Sequence, residues 1–169
     1  MNILVLQGSP KADGNTAFLA NAFKEGAESA GHKVNVLHVG GMNIAGCRGC
    51  EYCHKTQKGC CQQDDMVKVY DAIKEADMVV VASSVYYWGL TAQIQACITR
   101  LYCLGRPDIE KYAMILSSGS PDVYDGIIYS YKSTLGFFKA EDCGIKYVYG
   151  DNNKSVEAAE ELKAFGAAM

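Results

Sequence analysis

The chain has 169 residues, 49% of them hydrophobic and 21% charged, which suits one globular domain with a sizeable core. A formal charge of -3 and a pI near 5.6 offer no basic field to nucleic acid, and no run of Lys or Arg addresses an anionic membrane surface. No apolar run is long enough to span a bilayer, and the first residues carry neither a basic leader nor a small-residue cleavage site. A cytoplasmic protein without nucleic-acid or membrane partners is expected, with its eight cysteines reduced.

Met1 to Gln7 is a short apolar run ended by Gly8-Ser9-Pro10, and apolar residues from Thr16 to Ala30 recur at helical spacing. His32 to Val39 reads as a second strand. An irregular segment from about 40 to 63 follows, then an Asp64-Asp65 helix start and a periodic run from Met66 to Ala76. Met78 to Ser83 is continuously apolar, which implies a strand buried on both faces. The remaining elements are a helix from about Thr91 to Tyr102, a strand from Tyr112 to Leu116, a helix within Asp125 to Lys139, a strand from Ile145 to Tyr149 and a helix from Ser155 to Phe165. Five strands alternating with five helices, without repeat or linker, predict a single α/β domain over 1–169, doubly wound about a parallel sheet.

Three loops fall on the carboxyl edge of that sheet. The first, Gly8 to Thr16, contains no Gly-x-Gly pair and no Gly-Lys, which excludes the dinucleotide fingerprint and the P-loop. Its Ser9, Lys11, Gly14, Asn15 and Thr16 stand at a helix start, where free backbone N–H groups and side chains can face one phosphate. A mononucleotide fits, and in the strand order 2-1-3-4-5 such a loop adjoins the switch point between strands one and three; FMN is the ligand of that description. The loop after strand three, with Ser84, Val85, Tyr86, Tyr87 and Trp88, offers rings and amides to an isoalloxazine. The loop after strand four, around Ser118 and Gly119, is small enough to approach the same ring closely.

The irregular segment holds five of the eight cysteines. Cys47, Cys50 and Cys53 are spaced by two residues each and Cys60 follows after six more, so four thiols can converge without closing a long loop. Three cysteines in immediate succession are closer to ferredoxin-type ligation than to the paired C-x-x-C turns of structural zinc, although zinc and a metal-free loop remain alternatives. Cys97, Cys103 and Cys143 stand apart in sequence and are expected to be structural thiols.

Gly8-Ser9-Pro10-Lys11 with Gly14-Asn15-Thr16, the Cys47 to Asp65 segment and Tyr86-Tyr87-Trp88-Gly89-Leu90-Thr91-Ala92-Gln93 together resemble the NADPH-dependent FMN reductases of the flavodoxin-like superfamily, and among them the iron-sulfur flavoproteins. The resemblance implies a flavodoxin-like fold, tightly held FMN, NAD(P)H or another donor as reductant, a flavin, quinone or protein as electron acceptor, and a homodimer or homotetramer. It also implies a [4Fe-4S] cluster on Cys47, Cys50, Cys53 and Cys60, with Cys61 inside the allowed spacing for the fourth ligand. The chain departs from the family pattern at Ser84, where relatives commonly have proline. A plain FMN or quinone reductase without metal, and a flavodoxin-type electron shuttle, are the alternatives.

Overall fold

The computed structural model describes residues 1–169. Its strands are β1 (Asn2–Gln7), β2 (Lys33–His38), β3 (Met78–Tyr86), β4 (Gly89–Leu90), β5 (Lys111–Ser118) and β6 (Glu141–Tyr149). Its helices are α1 (Asn15–Ser29), α2 (Tyr52–Thr56), α3 (Met66–Lys74), α4 (Ala92–Arg100), α5 (Asp125–Phe138) and α6 (Val156–Ala167), with short 3-10 turns after β2, α4 and β6.

The sheet runs β2-β1-β3-β5-β6 with all neighbours parallel, and β4 folds back antiparallel on the end of β3. The order is therefore 2-1-3-5-6 rather than 2-1-3-4-5, because the two-residue β4 raises the number of the last two strands by one; the succession of parallel strands is the expected one. The flavodoxin-like architecture follows from burial. Ile3 to Gln7 and Met78 to Ser83 are buried on both faces, so helices must cover both sides.

Two apolar clusters separate along those faces. Leu4, Leu6, Val79, Val81, Met114 and Leu116 point toward α3, α4 and α5, whereas Ile3, Val5, Val80, Ala113 and Ile115 point toward α1 and α6. Helices α1 and α6 meet through two glycines. A Cβ on Gly26 would stand 1.9 Å from the Lys163 carbonyl oxygen, and one on Gly166 would stand 2.1 Å from that of Phe23.

Three boundaries differ from expectation. Strand β3 continues through Ser84, Val85 and Tyr86, because Val85 and Tyr86 pair with Leu90 and Gly89. Strand β6 begins at Glu141, ahead of a register shift opposite Tyr112 and Met114; Gly144, at φ +118°, breaks its alternation. The sixth helix, α2, lies inside the cysteine segment, bounded by Glu51 and Gln57 in left-handed conformation.

Candidate functional site

The first loop enters helix α1 without a side-chain cap: Gly14 occupies the cap position, and no acidic residue stands in the first turn. The first N–H groups of the helix thus lack intrahelical partners, and the positive end of the dipole is open to an anion. The loop's shape is fixed from below. Ser9, 5% exposed, accepts a hydrogen bond from the Lys11 N–H at 3.3 Å through its Oγ, and its carbonyl lies 2.8 Å from His38 Nε2. Gly14 N donates to the Lys11 carbonyl at 3.3 Å. Lys11 and Asn15 are exposed at the rim.

Thr16 differs from expectation. Its side chain is 1% exposed and turns into the fold, with Oγ1 at 2.7 Å from Ser117 Oγ and 3.2 Å from Ser84 Oγ. What it presents to an anion is its backbone N–H, while its hydroxyl ties α1 to the ends of β3 and β5. Sequence reasoning also missed Lys154, whose ammonium donates to the Asp13 carbonyl at 3.1 Å. Its position just after β6, on the same carboxyl edge as the other loops, was the available signal.

The second and third loops come together. Val85, Tyr87, Trp88, Ser118, Gly119, Ser120 and Val123 line an open cavity of about 180 Å³. Tyr87 is 96% exposed and Trp88 61%, and both hold left-handed backbone at φ +48° and +59°. Such residues cost on the order of 1–3 kcal/mol and concentrate where a side chain must be aimed. Tyr86 is exposed but does not line this cavity, because it belongs to the β3–β4 pairing. Ser118 Oγ contacts Tyr124 OH at 2.5 Å, Tyr124 stacks on Tyr147 at 4.4 Å between ring centroids, and Asn153 donates to the Ser118 carbonyl at 2.8 Å. That support for Ser118 was invisible in sequence, because its members come from β5, the turn before α5, β6 and the turn after β6.

The cysteines of the long segment also converge. Cys47, Cys50, Cys53, Cys60 and Cys61 line one small pocket of about 20 Å³, and Cys103 joins them from the turn after α4. Cys103 is thus not apart from the cluster; its distance in sequence concealed it. Cys97 is buried in the apolar core, where desolvation pushes its thiol up to about 12, and Cys143 lies half-buried on β6. All eight thiols are free. Cys50 Sγ lies 3.7 Å from Cys61 Sγ. The Tyr52 N–H and then the Cys61 thiol hold Cys50 below the usual thiol range, and Cys61 is raised by the same contact.

No three His, Cys, Asp or Glu side chains are arranged to hold a single metal ion. A [4Fe-4S] cluster makes a different demand, since each of its four thiolates ligates a separate iron. Six soft sulfur donors around one pocket fit that chemistry.

Arg100 closes the cysteine segment at its base. The side chain is 1% exposed and donates to Asp64 at 2.7 and 3.2 Å, to the Ala45 carbonyl at 2.9 Å and to the Gln62 carbonyl at 3.4 Å. One guanidinium therefore holds both ends of the loop, a geometry that its planar fork permits and a Lys does not. Tyr102 adds a bond to Glu51 at 2.9 Å, and its carbonyl lies 3.0 Å from His54 Nε2. The pocket lies beyond the C-terminal end of α4, while the aromatic loop precedes that helix. The helix between them is about 13 Å long.

The sequence matches the NADPH-dependent FMN reductase family over residues 1–153. It is 35% identical over 130 residues to an iron-sulfur flavoprotein of Archaeoglobus fulgidus, covering 75% of this chain and 56% of the relative. It is 30% identical over 106 residues to an iron-sulfur flavoprotein of Methanosarcina thermophila, covering 63% and 55%. The matched region thus spans about half the length of these relatives. Among solved structures, an NAD(P)H:quinone oxidoreductase from Methanothermobacter marburgensis superimposes with a TM-score of 0.74 at 19% identity, covering 99% of this chain and 96% of that one. A flavodoxin from the domain Archaea gives 0.64 at 17% identity, covering 99% and 95%. With the family match running from β1 through Asn153, and with the loops after β1, β3 and β5 gathered on one sheet edge, this chain belongs to the NADPH-dependent FMN reductase family.

Proposed function

We propose that the chain is an FMN-dependent oxidoreductase that takes reducing equivalents from NAD(P)H and passes them to a quinone, flavin or protein acceptor. The observation that carries this reading is the uncapped N-terminus of α1 on the same sheet edge as the cavity between Trp88 and Gly119. Anion-binding amides and a ring-sized opening are what a flavin mononucleotide requires. When bound, FMN supplies two-electron acceptance from a hydride donor and onward transfer in one- or two-electron steps, and a [4Fe-4S] cluster supplies a one-electron centre.

The protein's own part is positional. Ser9, Gly14 and the first turn of α1 hold the phosphate; Val85 and Ser118–Gly119 approach the ring with backbone; Tyr87 and Trp88 border its open side. Cys47, Cys50 and Cys53, with Cys60, Cys61 or Cys103, hold the cluster, and Arg100 keeps their loop in place. The two sites stand at opposite ends of α4, and in a homodimer or homotetramer the cysteine loop of one subunit would meet the ring site of another.

Protein purified without oxygen and assayed for flavin, iron and sulfide per chain tests the assignment, followed by NAD(P)H oxidation with quinone, flavin and ferric acceptors. About one FMN per chain and turnover are expected. A chain that takes up no FMN refutes the reading. Flavin without iron refutes the cluster alone, and flavin without nicotinamide turnover replaces the enzyme with an electron shuttle.

A further inference from the structure

Helices α4 and α5 lie side by side on one face of the sheet without closing over it. Between them is a partly open cavity of about 130 Å³, and 17 of its 22 lining residues are hydrophobic. Its floor is the sheet, at Val79 and Val81, and its walls include Ile98 of α4 and Leu135 of α5. No Asp, Glu, Lys, Arg or His reaches it. The three titratable groups present, Cys97, Tyr112 and Tyr131, are each raised by burial and stay neutral at neutral pH.

The cavity is not isolated. Trp88 lines both it and the ring-sized opening on the sheet edge, so the two adjoin at that residue. At the opposite end, Ile98, Leu101, Thr134 and Phe138 also line an open groove of about 520 Å³ that reaches Tyr102 and Cys47. The α4–α5 cleft therefore runs from the ring site to the rim of the cysteine pocket.

We propose that the acceptor is an uncharged quinone carrying an apolar side arm, its redox head beside Trp88 against the open side of the flavin ring and its arm in the α4–α5 cavity. The inference rests on the oxidoreductase reading and selects among its acceptors. A free flavin nucleotide would have to bring its phosphate into a space with no compensating charge, which desolvation opposes. A protein acceptor does not enter a cavity of about 130 Å³. An apolar cavity near this size holds one small ring or a short branched chain, and the groove beyond gives a longer arm a way out. The reaction balances as hydride from NAD(P)H plus one proton from solvent. Two electrons and two protons convert the quinone carbonyls to hydroxyls, and the nicotinamide leaves oxidised.

The test compares two quinones with the same head, one bare and one bearing a short prenyl arm, on FMN-loaded protein. Trp88 is the only tryptophan in the chain, so its fluorescence reports binding where the two adjoin whether or not turnover occurs. The armed quinone is expected to bind about tenfold more tightly, roughly what burying two methylenes yields, with kcat/KM following. In Thr134→Phe, which fills the cavity where it meets the groove, the ratio between the two quinones should collapse toward one; Ser130→Leu is a milder second filling, and thermal melts confirm that each variant folds. Equal affinity for both quinones in the wild type, or an unchanged ratio in both filled variants, overturns the inference. Tighter binding of the armed quinone without NAD(P)H-driven reduction upholds the cavity and refutes the enzymatic reading instead. A dimer that covers the cleft and leaves the ratio at one assigns this face to a second copy.

Discussion

The Thr16 hydroxyl lies 2.7 Å from that of Ser117, 101 positions away, and joins the start of α1 to the end of β5 beneath the first loop. Thr16→Val preserves shape and strands the Ser117 hydroxyl in a buried site, so stability should fall by about 1–2 kcal/mol. Ser9→Ala removes the acceptor for the Lys11 N–H and should weaken FMN more than it weakens the fold. Equilibrium dialysis with FMN and urea unfolding separate the two effects. Wild-type FMN affinity in the Ser9→Ala/Thr16→Val double variant would mean that the phosphate binds elsewhere.

Asp64 gives the cysteine loop a defined response to acid. Burial alone would raise its carboxyl, but Arg100 and the N–H groups of Ala45 and Met66 outweigh burial and hold it below the usual carboxylate range. A lowered folded value means that the stabilisation is complete above the ordinary carboxylate value of 3.8 and disappears as pH falls through the folded one. Asp64→Asn should therefore destabilise by roughly 3 kcal/mol at pH 7, as expected when one partner of a buried pair is removed. The gap from wild type should close progressively below about pH 4. A gap that is constant from pH 7 to pH 2 in urea titrations would refute the anchoring role.

Much of this was legible in sequence, and what escaped has a common cause. The valine run of β3 and the Ser9–Thr16 loop announce themselves locally, because burial on both faces and an anion-ready helix start leave marks on adjacent residues. Arg100, Cys103, Tyr124 and Lys154 do not. Each acts on a partner in another element, and nothing in its immediate neighbours distinguishes it from a helix-end Arg, a buried thiol, a turn Tyr or a surface Lys. Thr16 erred the other way: its hydroxyl looked available from the loop and is used by the sheet.

Gly40 couples the cysteine segment to the first loop. A Cβ there would stand 1.9 Å from the Ser9 carbonyl oxygen, a backbone atom that cannot swing aside. Gly40→Ala should cost on the order of 1–3 kcal/mol by overpacking and lower FMN affinity by displacing Ser9. Gly136→Ala is the control, since its Cβ meets nothing within 4 Å on exposed α5; a small gain in stability with unchanged FMN binding is expected there. Equal FMN affinities in both variants would count against the coupling.

Iron per chain divides the six clustered thiols. Cys47→Ser, Cys50→Ser and Cys53→Ser should each lose most of the iron while retaining flavin. Comparing Cys60→Ser, Cys61→Ser and Cys103→Ser identifies the fourth donor, and only one of the three should behave like Cys50→Ser. Full iron in Cys50→Ser would refute the cluster.

The glycine contacts between α1 and α6 also bear on how the flavin site comes into being. Helix α6, from Val156 to Ala167, lies just past the 1–153 stretch that carries the family match, yet it packs on the helix whose first turn is the proposed phosphate site. During synthesis, α1 waits for about 130 further residues before the surface it shares with α6 is covered. A chain cut before Val156 would present the anion-binding turn on an unsupported helix, so flavin uptake belongs after α6 has docked on α1.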